Sequence, residues 1–445
     1  MEQPATVVTP DPEWDRRSLP EVHGSIPIPV TGPPWKKMLA FAGPGYLVAV
    51  GYMDPGNWAT DIAGGAKFGY TLLSVIMLSN MMAILLQSLS ARLGIASGRD
   101  LAQACRAAYS PRTTFVLWIL CEIAIAACDL AEVLGAAIAL QLLFDIPLLW
   151  GVCLTATDVF LVLYLQNRGF RYVEAIVLTL IFGIAGCFAI ELWMAQPDMP
   201  ALAVGLIPRA EILRNPEMLY ISIGILGATV MPHNLYLHSS IVQTRRYGDT
   251  YEGKKEAIRY ATIDSTVALM SALFINGAIL VMAAAVFHGT PHENVADIGD
   301  AYLLLDPLLG ATVASTLFAV ALLFSGQNAT LTGTLAGQIV MEGFLNIRLR
   351  PWLRRLITRL IAIVPAVVVI AIKGEEGSGP LLVLSQVILS LQLPFAIFPL
   401  VQFTSSEKMM GPFASKFWVK ALAWPVCIII AALNVYLLYQ TFAGA

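Results

Sequence analysis

Apolar segments of about twenty residues recur along most of the chain and limit it to one kind of architecture. Eleven of them are long enough to cross a hydrocarbon core about 30 Å thick. They cover residues 38–65, 71–93, 114–143, 147–166, 173–194, 218–243, 260–287, 309–339, 354–372, 381–404 and 418–440. Charged residues make up only 13% of the sequence, against about 25% in a typical soluble domain. The chain is therefore predicted to be an all-α polytopic membrane protein.

The distribution of basic residues predicts how the chain is oriented in the membrane. If the N-terminus is cytoplasmic, 23 of the 27 Lys and Arg residues fall in cytoplasmic segments or at their edges. The exceptions are Lys67, Arg209, Arg214 and Lys373. Because basic residues concentrate on the cytoplasmic side of membrane proteins, the N-terminus is predicted inside and the C-terminus outside. A bacterial inner (plasma) membrane is the expected location.

The segments group into four regions. Residues 1–35 contain eight prolines and no apolar segment, so they are predicted to form a disordered cytoplasmic tail. Residues 36–200 hold the first five segments and residues 201–405 the next five. Residues 406–445 hold the eleventh segment and the external C-terminus.

The first apolar segment contains a polar interruption, G-Y-M-D-P-G-N, at residues 51–57. Pro55 cannot donate a backbone hydrogen bond and its ring disturbs the preceding turn, so the carbonyl group of Gly51 loses its helical partner. In lipid, a free carbonyl group is costly unless it is buried in protein or lines a cavity. The interruption therefore predicts an unwound helix that borders a cavity.

A second interruption, M-P-H-N at residues 231–234, lies in the sixth segment. Aligned with D-P-G-N, it matches Pro55 to Pro232, and Pro232 frees the carbonyl group of Ala228. Five segments begin with each interruption, and an odd number gives the two halves opposite orientations. Paired interruptions at corresponding positions indicate the substrate site of a secondary transporter. Ordinary proline kinks are the alternative explanation.

The side chains at the two interruptions suit a particular class of cation. Asp54 offers a carboxylate, Asn57 an amide oxygen and Met231 a thioether, beside the freed carbonyl groups of Gly51 and Ala228. An acid within a membrane segment is expensive and indicates a functional site. Sulfur favours transition metals over magnesium or calcium, although a methionine in a membrane helix can also serve only for packing. The pattern predicts a site for a divalent transition metal.

Three long motifs carry a resemblance to a known family. They are G-P-G-Y with M-D-P-G-N, M-P-H-N-L-Y-L-H-S, and S-G-Q-N-A-T-L-T-G-T-L-A-G-Q at residues 325–338. They resemble the Nramp family of proton-coupled divalent metal transporters, over about residues 38–440. The resemblance implies a LeuT-type fold of two inverted five-helix repeats with an eleventh helix. It also implies import of manganese or ferrous iron, with tolerance for cadmium and cobalt.

The same resemblance implies which residues bind the metal. In the family, the residues that match Asp54, Asn57 and Met231 are ligands, together with the carbonyl groups at Gly51 and Ala228. A glutamine of the tenth helix joins them in the occluded state. Two glutamines of this chain are candidates, Gln386 and Gln392, and Gln386 is favoured.

A second set of residues is predicted to carry protons. Glu122, Asp129 and Glu132 lie seven and three residues apart in the third segment, on one helical face, with Asp129 the strongest candidate. The resemblance supports a proton route along this face, with arginines of the ninth segment as partners. The candidates are Arg354, Arg355 and Arg359.

Two histidines beside the second interruption are further candidates for proton transfer. Histidine as a residue type titrates near physiological pH, so His233 and His238 could sense or shuttle protons, although His233 could simply bond to freed backbone. Asn276 in the seventh segment is a candidate holder of a metal-bound water.

Other functions fit the sequence less well. A sodium-coupled amino-acid carrier on the same fold would place Asp54 against the substrate's carboxylate, and a magnesium-transporting relative should lack the thioether of Met231. A signalling protein with an Nramp-like membrane domain should carry a large soluble extension. No enzyme activity, cofactor, nucleic acid or obligate protein partner is expected. The substrates are a metal ion and protons, in a membrane protein that can act as a monomer.

Overall fold

The computed structural model describes residues 19, 22–29, 33–155, 157, 169–293, 295, 297–309, 313–347, 349–374 and 377–443. Nearly all of this part is helical. The spans are numbered after the predicted segments, and spans 1 and 6 are each divided into halves a and b. Spans 1a to 5 comprise Pro44–Gly51, Pro55–Phe68, Leu73–Ser97, Pro111–Phe144, Leu148–Thr155 and Phe170–Ala195. Spans 6a to 11 comprise Pro216–Thr229, Pro232–Ile241, Tyr251–Phe287, Ala314–Leu345, Pro351–Lys373, Ser378–Ser405 and Phe417–Ala443.

Shorter helices lie outside the spans. They comprise Pro34–Phe41 before span 1a, Leu101–Ala108 after span 2, Met199–Gly205 and Glu211–Arg214 before span 6a, Ile298–Leu309 before span 8, and Glu407–Met410 before span 11. Three 3₁₀ turns, Gly69–Leu72, Val242–Thr244 and Gly411–Phe413, connect elements. By length and composition, eight helices of the described part could cross a membrane, with 1b and 2 counted as one helix and 6a and 6b as another.

Prolines and hydroxyl side chains mark the starts of several helices. Spans 1a, 1b, 3, 6a, 6b and 9 begin with proline, whose missing N–H group is not needed in the first turn. Ser110 caps span 3 and Thr250 caps span 7, each by accepting a hydrogen bond from a first-turn N–H group. Span 8 is shifted relative to its prediction: Ile298–Leu309 forms a separate helix, and the span runs to Leu345. Most of the predicted fourth segment lies outside the described residues.

The helices pack so that the two interrupted spans lie at the centre. Span 8 packs against spans 3 and 5, span 7 packs against spans 1b and 2, and span 6a packs against span 10. Trp58 of span 1b is fully buried, with its ring 4.8 Å from that of Phe188 and 5.1 Å from that of Phe318. Edge-to-face aromatic contacts of this kind fix span 1b against its neighbours.

The N-terminal tail differs from its prediction where the structure describes it. Ile26–Pro27 pairs in parallel with Arg245–Arg246, which follow span 6b, and Ile26 is buried. The N–H group of Leu19 donates to the Glu342 carboxylate at the end of span 8 (3.2 Å). Proline-rich composition predicted disorder, but this part of the tail finds backbone partners on the helical domain.

Candidate functional site

The first span is interrupted where the sequence predicts. Span 1a ends at Gly51 and span 1b begins at Pro55. Asp54 caps span 1b, since its Oδ1 accepts from the N–H group of Asn57 at 2.8 Å. This bond satisfies one of the N–H groups that a helix start leaves free, so it fixes the Asp54 carboxylate at the interruption.

The sixth span is interrupted in the same way. Span 6a ends at Thr229 and span 6b begins at Pro232. Met231 precedes span 6b and provides no side-chain cap. Its sulfur lies 3.6 Å from Nδ2 of Asn234, which also donates to the carbonyl group of Val48 in span 1a at 3.3 Å. Asn234 therefore connects the second interruption to the first span.

The two interruptions meet at the side chain of Asn57. Its Nδ2 lies 3.2 Å from the carbonyl oxygen of Gly51, 3.1 Å from that of Ala228 and 2.6 Å from Oδ1 of Asp54. These are the two carbonyl groups that Pro55 and Pro232 were predicted to free. Oxygen atoms from both spans thus surround one point in the protein interior.

The orientation of the Asn57 amide differs from the expectation. Its nitrogen, not its oxygen, faces the other three oxygens, and its Oδ1 accepts a hydrogen bond from Nδ2 of Asn276 at 3.2 Å. Three oxygens without hydrogens of their own favour a donor at this position. A cation there would favour the opposite orientation, which a rotation of the amide about χ2 provides.

The site also contains buried polar atoms that could bind a ligand. Asp54, Met231 and Gln386 are each fully buried, so protein surrounds the site on all sides. Within the described part of the chain, Asp54 Oδ2 and Gln386 Oε1 have no hydrogen-bond partner. Buried polar atoms normally have partners, so these two oxygens suit a ligand.

Gln386, the favoured glutamine of span 10, lies beside the first interruption. A Cβ atom at Gly56 would collide with the Gln386 side-chain amide, so a larger residue at this position of span 1b would displace Gln386. Gln386 Nε2 donates to Ser385 Oγ at 3.0 Å, which leaves Oε1 available. The other candidate, Gln392, lies six residues further along span 10, near Tyr236.

Two of the three acids of span 3 are buried side by side next to the site. Asp129 and Glu132 both face Gly333 of span 8, and Glu132 Oε2 accepts a hydrogen bond from Thr330 Oγ1 at 3.2 Å. Glu122 is half-buried and accepts from the indole N–H group of Trp118 at 3.0 Å.

Span 3 also touches both interruptions. Met231 packs in a cluster with Ala127, Cys128 and Leu389. The thiol of Cys128 lies 3.8 Å from Oε1 of Glu132. A Cβ atom at Gly135 would collide with the ring of Pro55. The acids therefore begin about one helical turn from the metal-site candidates.

The arginine that faces these acids is Arg359. Its guanidinium is buried, with Nη2 3.6 Å from Glu132 Oε2 and Nη1 3.4 Å from the carbonyl oxygen of Asp129. It also donates to Thr330. The side chains of the other two candidates, Arg354 and Arg355, lie outside the described part of the structure.

Both histidines of span 6b are buried. His238 Nδ1 lies 3.1 Å from Gln87 Oε1, and Gln87 Nε2 donates to the hydroxyl group of Tyr52 at 3.3 Å. His233 Nδ1 has no hydrogen-bond partner among the described residues.

The sequence analysis missed a buried ionic cluster where span 1a begins and span 6b ends. Arg245 pairs with Glu174 (2.5 Å) and donates to the carbonyl group of Ala42 (2.8 Å). Asp264 accepts from the N–H groups of Gly43 and Gly45 at 3.3 and 2.7 Å. The only sequence signal was a lone glutamate near the start of an apolar segment. The cluster connects span 1a to spans 5, 6b and 7.

The fold and the paired interruptions define a class: a polytopic membrane protein of the LeuT type. Mhp1 in its inward-facing conformation superposes on 100% of this chain and 96% of its own, with a TM-score of 0.59 and 13% identity, which is evidence of the fold alone. An Eremococcus coleocola manganese transporter, in complex with an aromatic bis-isothiourea compound, superposes with a TM-score of 0.88 and 44% identity over 96% of this chain and 92% of its own.

The family follows from the sequence comparisons. The model of the natural resistance-associated macrophage protein-like (Nramp) family matches residues 45–440. The divalent metal cation transporter MntH of Nostoc sp. is 64% identical over 433 residues, which covers 97% of this chain and 98% of that protein. The chain belongs to the Nramp family.

Proposed function

We propose that this protein imports divalent transition metal ions, Mn²⁺ or Fe²⁺ with tolerance for Cd²⁺ and Co²⁺, together with protons. The observation that carries the proposal is the convergence of the Asp54 carboxylate and the carbonyl groups of Gly51 and Ala228 at Asn57, with the Met231 sulfur beside Gly51. A single negative charge with neutral oxygens and one sulfur suits a soft dication. The names of the Nostoc relative, a divalent metal cation transporter, and of the Eremococcus relative, a manganese transporter, support the metal part of the proposal.

The metal would bind between the two interruptions. Asp54 Oδ2 and Gln386 Oε1, both without partners among the described residues, would turn to the ion with Met231. Asn57 would rotate its amide so that its oxygen faces the ion. Asn276, which donates to that oxygen here, would then face the amide nitrogen and could hold a water beside the metal.

Proton release would accompany binding. A dication next to Asp54 favours the ionised carboxylate, so a proton carried there must leave. The nearby route runs past Cys128 to Glu132 and Asp129, and then to Arg359. His233, His238 and Glu122 are further candidates on this route. The cation of Arg359 would stabilise the ionised Glu132 after the proton has moved on.

Transport requires that the site open on one side at a time. Rearrangement of spans 1 and 6 against the rest of the protein would give alternating access. The cluster of Arg245, Glu174 and Asp264 would have to separate for the site to open inward. The proposed orientation places the N-terminus in the cytoplasm of a bacterium and the C-terminus outside. The proposed units are residues 36–200 and 201–405.

Uptake by the purified full-length protein in liposomes tests the function. Mn²⁺, Cd²⁺, Mg²⁺ and Ca²⁺ are supplied outside, with and without an inward proton gradient. We expect Mn²⁺ and Cd²⁺ uptake that a gradient accelerates, with internal acidification, and little Mg²⁺ or Ca²⁺ uptake. Equal uptake of Mg²⁺ would refute the proposed selectivity, and no acidification during Mn²⁺ uptake would refute the coupling.

A further inference from the structure

A groove on the lipid-facing side of the protein has no role in the metal site. It holds about 290 Å³ and lies between spans 2, 6a and 11, below the connection from span 5 to span 6a. Its apolar walls include Leu78, Met82, Ile223, Leu226, Ile429 and Leu433. Leu78 and Ile429 are 38% and 46% exposed, so the groove opens toward the hydrocarbon region.

One end of the groove is basic. Arg209 lines it there, together with Pro208, in the short connection that precedes the helix Glu211–Arg214. Arg209 is exposed, and no ion pair or side-chain hydrogen bond engages its guanidinium among the described residues. The opposite, deeper part of the groove reaches Leu226, whose carbonyl group accepts the N–H group of Val230 beside the second interruption.

We propose that this groove binds a phospholipid, with one acyl chain between spans 2, 6a and 11 and the headgroup phosphate on Arg209. Contact between water and the apolar walls of the groove is unfavourable. An acyl chain can cover these walls while the polar headgroup stays at the interface. A guanidinium at the interface matches a phosphate diester in charge and geometry. The leaflet is the external one in the proposed orientation.

The position of Arg209 distinguishes this site from general contact with lipid. Only four basic residues fall on the predicted external side, and one of them lies at the head of the groove. Arg214, another of the four, is only five residues away and equally exposed but does not line the groove. If the protein recognises the lipid by its phosphate, replacement of Arg209 should weaken lipid binding and replacement of Arg214 should not.

Native mass spectrometry of the detergent-purified full-length protein tests the proposal. Phosphatidylglycerol and a neutral galactosyl diacylglycerol with the same acyl chains are added at equal concentration. We expect the wild type to retain phosphatidylglycerol preferentially. Arg209→Gln should lower this preference about fivefold, the ratio expected for one basic residue at an anionic membrane surface. Arg214→Gln should leave it unchanged.

A second pair of variants tests the acyl-chain part. Ile429→Trp fills the groove, while Ile428→Trp adds the same side chain at the neighbouring, 63% exposed position that does not line it. We expect Ile429→Trp alone to reduce retention of both lipids. Equal effects within either pair of variants would overturn the proposal, and so would equal retention of the two lipids by the wild type. A protein dimer that Ile429→Trp abolishes would assign the groove to a second copy of the chain instead.

Discussion

The two interrupted spans have the same backbone design but different side-chain chemistry. At the first interruption, Asp54 caps the following half-helix and Asn57 binds oxygen atoms of both spans. At the second, Met231 occupies the capping position and makes no capping bond. In the proposed metal site, the first interruption would therefore supply charge and hydrogen bonds, and the second would supply a soft ligand. Separate residues on separate spans can then set how strongly a metal binds and which metal is preferred.

Loss of the carboxylate at the first interruption should have the greatest effect. Asp54→Asn keeps the shape of the side chain but removes its charge, so a dication would meet only neutral atoms. We expect metal uptake into liposomes to fall by more than about 100-fold, beyond the usual effect of losing an outer-shell partner. Asp61→Asn, two turns further along span 1b and equally buried, is the matched control and should retain uptake. Similar losses in both variants would show that any buried acid of this helix is needed.

A methyl group at Gly56 should block the first interruption sterically. In Gly56→Ala the new Cβ collides with the Gln386 amide, and overpacking costs about 1–3 kcal/mol. If this cost falls on the metal-bound state, we expect metal binding to weaken about 5- to 150-fold, measured by calorimetry on purified protein. Gly277→Ala, whose Cβ would have only an ordinary contact with Leu73 (3.5 Å), should bind normally. Normal binding by Gly56→Ala would show that Gln386 is not part of the site.

Loss of the thioether should change selectivity more than transport itself. In Met231→Ala we expect the preference for Mn²⁺ over Mg²⁺ to fall about tenfold, because Mg²⁺ gains little from sulfur. Competition uptake in liposomes measures this ratio. Met282→Ala removes an equally buried methionine from span 7 and should leave the ratio unchanged. An unchanged ratio in Met231→Ala would mean that selectivity arises at the first interruption alone.

Replacement of the span 3 acids should weaken the coupling of metal uptake to protons. Of the changes considered, it should have the smallest effect on metal binding. Glu132→Gln retains its size but cannot give up a proton, so Mn²⁺ uptake should lose its dependence on external pH. Glu191→Gln, a fully buried acid of span 5, should keep the wild-type pH profile. If Glu122→Gln, Asp129→Asn and Glu132→Gln all keep the wild-type profile, protons do not use this face.

The sequence was sufficient to predict the interruptions because proline fixes them by local covalent geometry. The ring of Pro55 or Pro232 frees a carbonyl group four residues earlier whatever the rest of the fold does. The carbonyl groups of Gly51 and Ala228 both lie within hydrogen-bond distance of Asn57 Nδ2, at the proposed metal site.

Features that depend on several helices at once were not predictable. The orientation of the Asn57 amide is set by two carbonyl groups and by Asn276, which belong to three different spans. The family resemblance left three arginines of span 9 as candidate partners of the acids, and only packing assigns Arg359 to Glu132. The pair of Arg245 and Glu174 was missed because each residue alone resembles an ordinary charge near the membrane surface.

Anomalous diffraction from crystals soaked in Mn²⁺ tests most directly whether the two interruptions form the metal site. We predict one strong peak between Asp54 and Met231, within bonding distance of the Asn57 oxygen, and no such peak in Asp54→Asn crystals. A peak elsewhere in the protein, or the same peak without the Asp54 carboxylate, would contradict the proposed site.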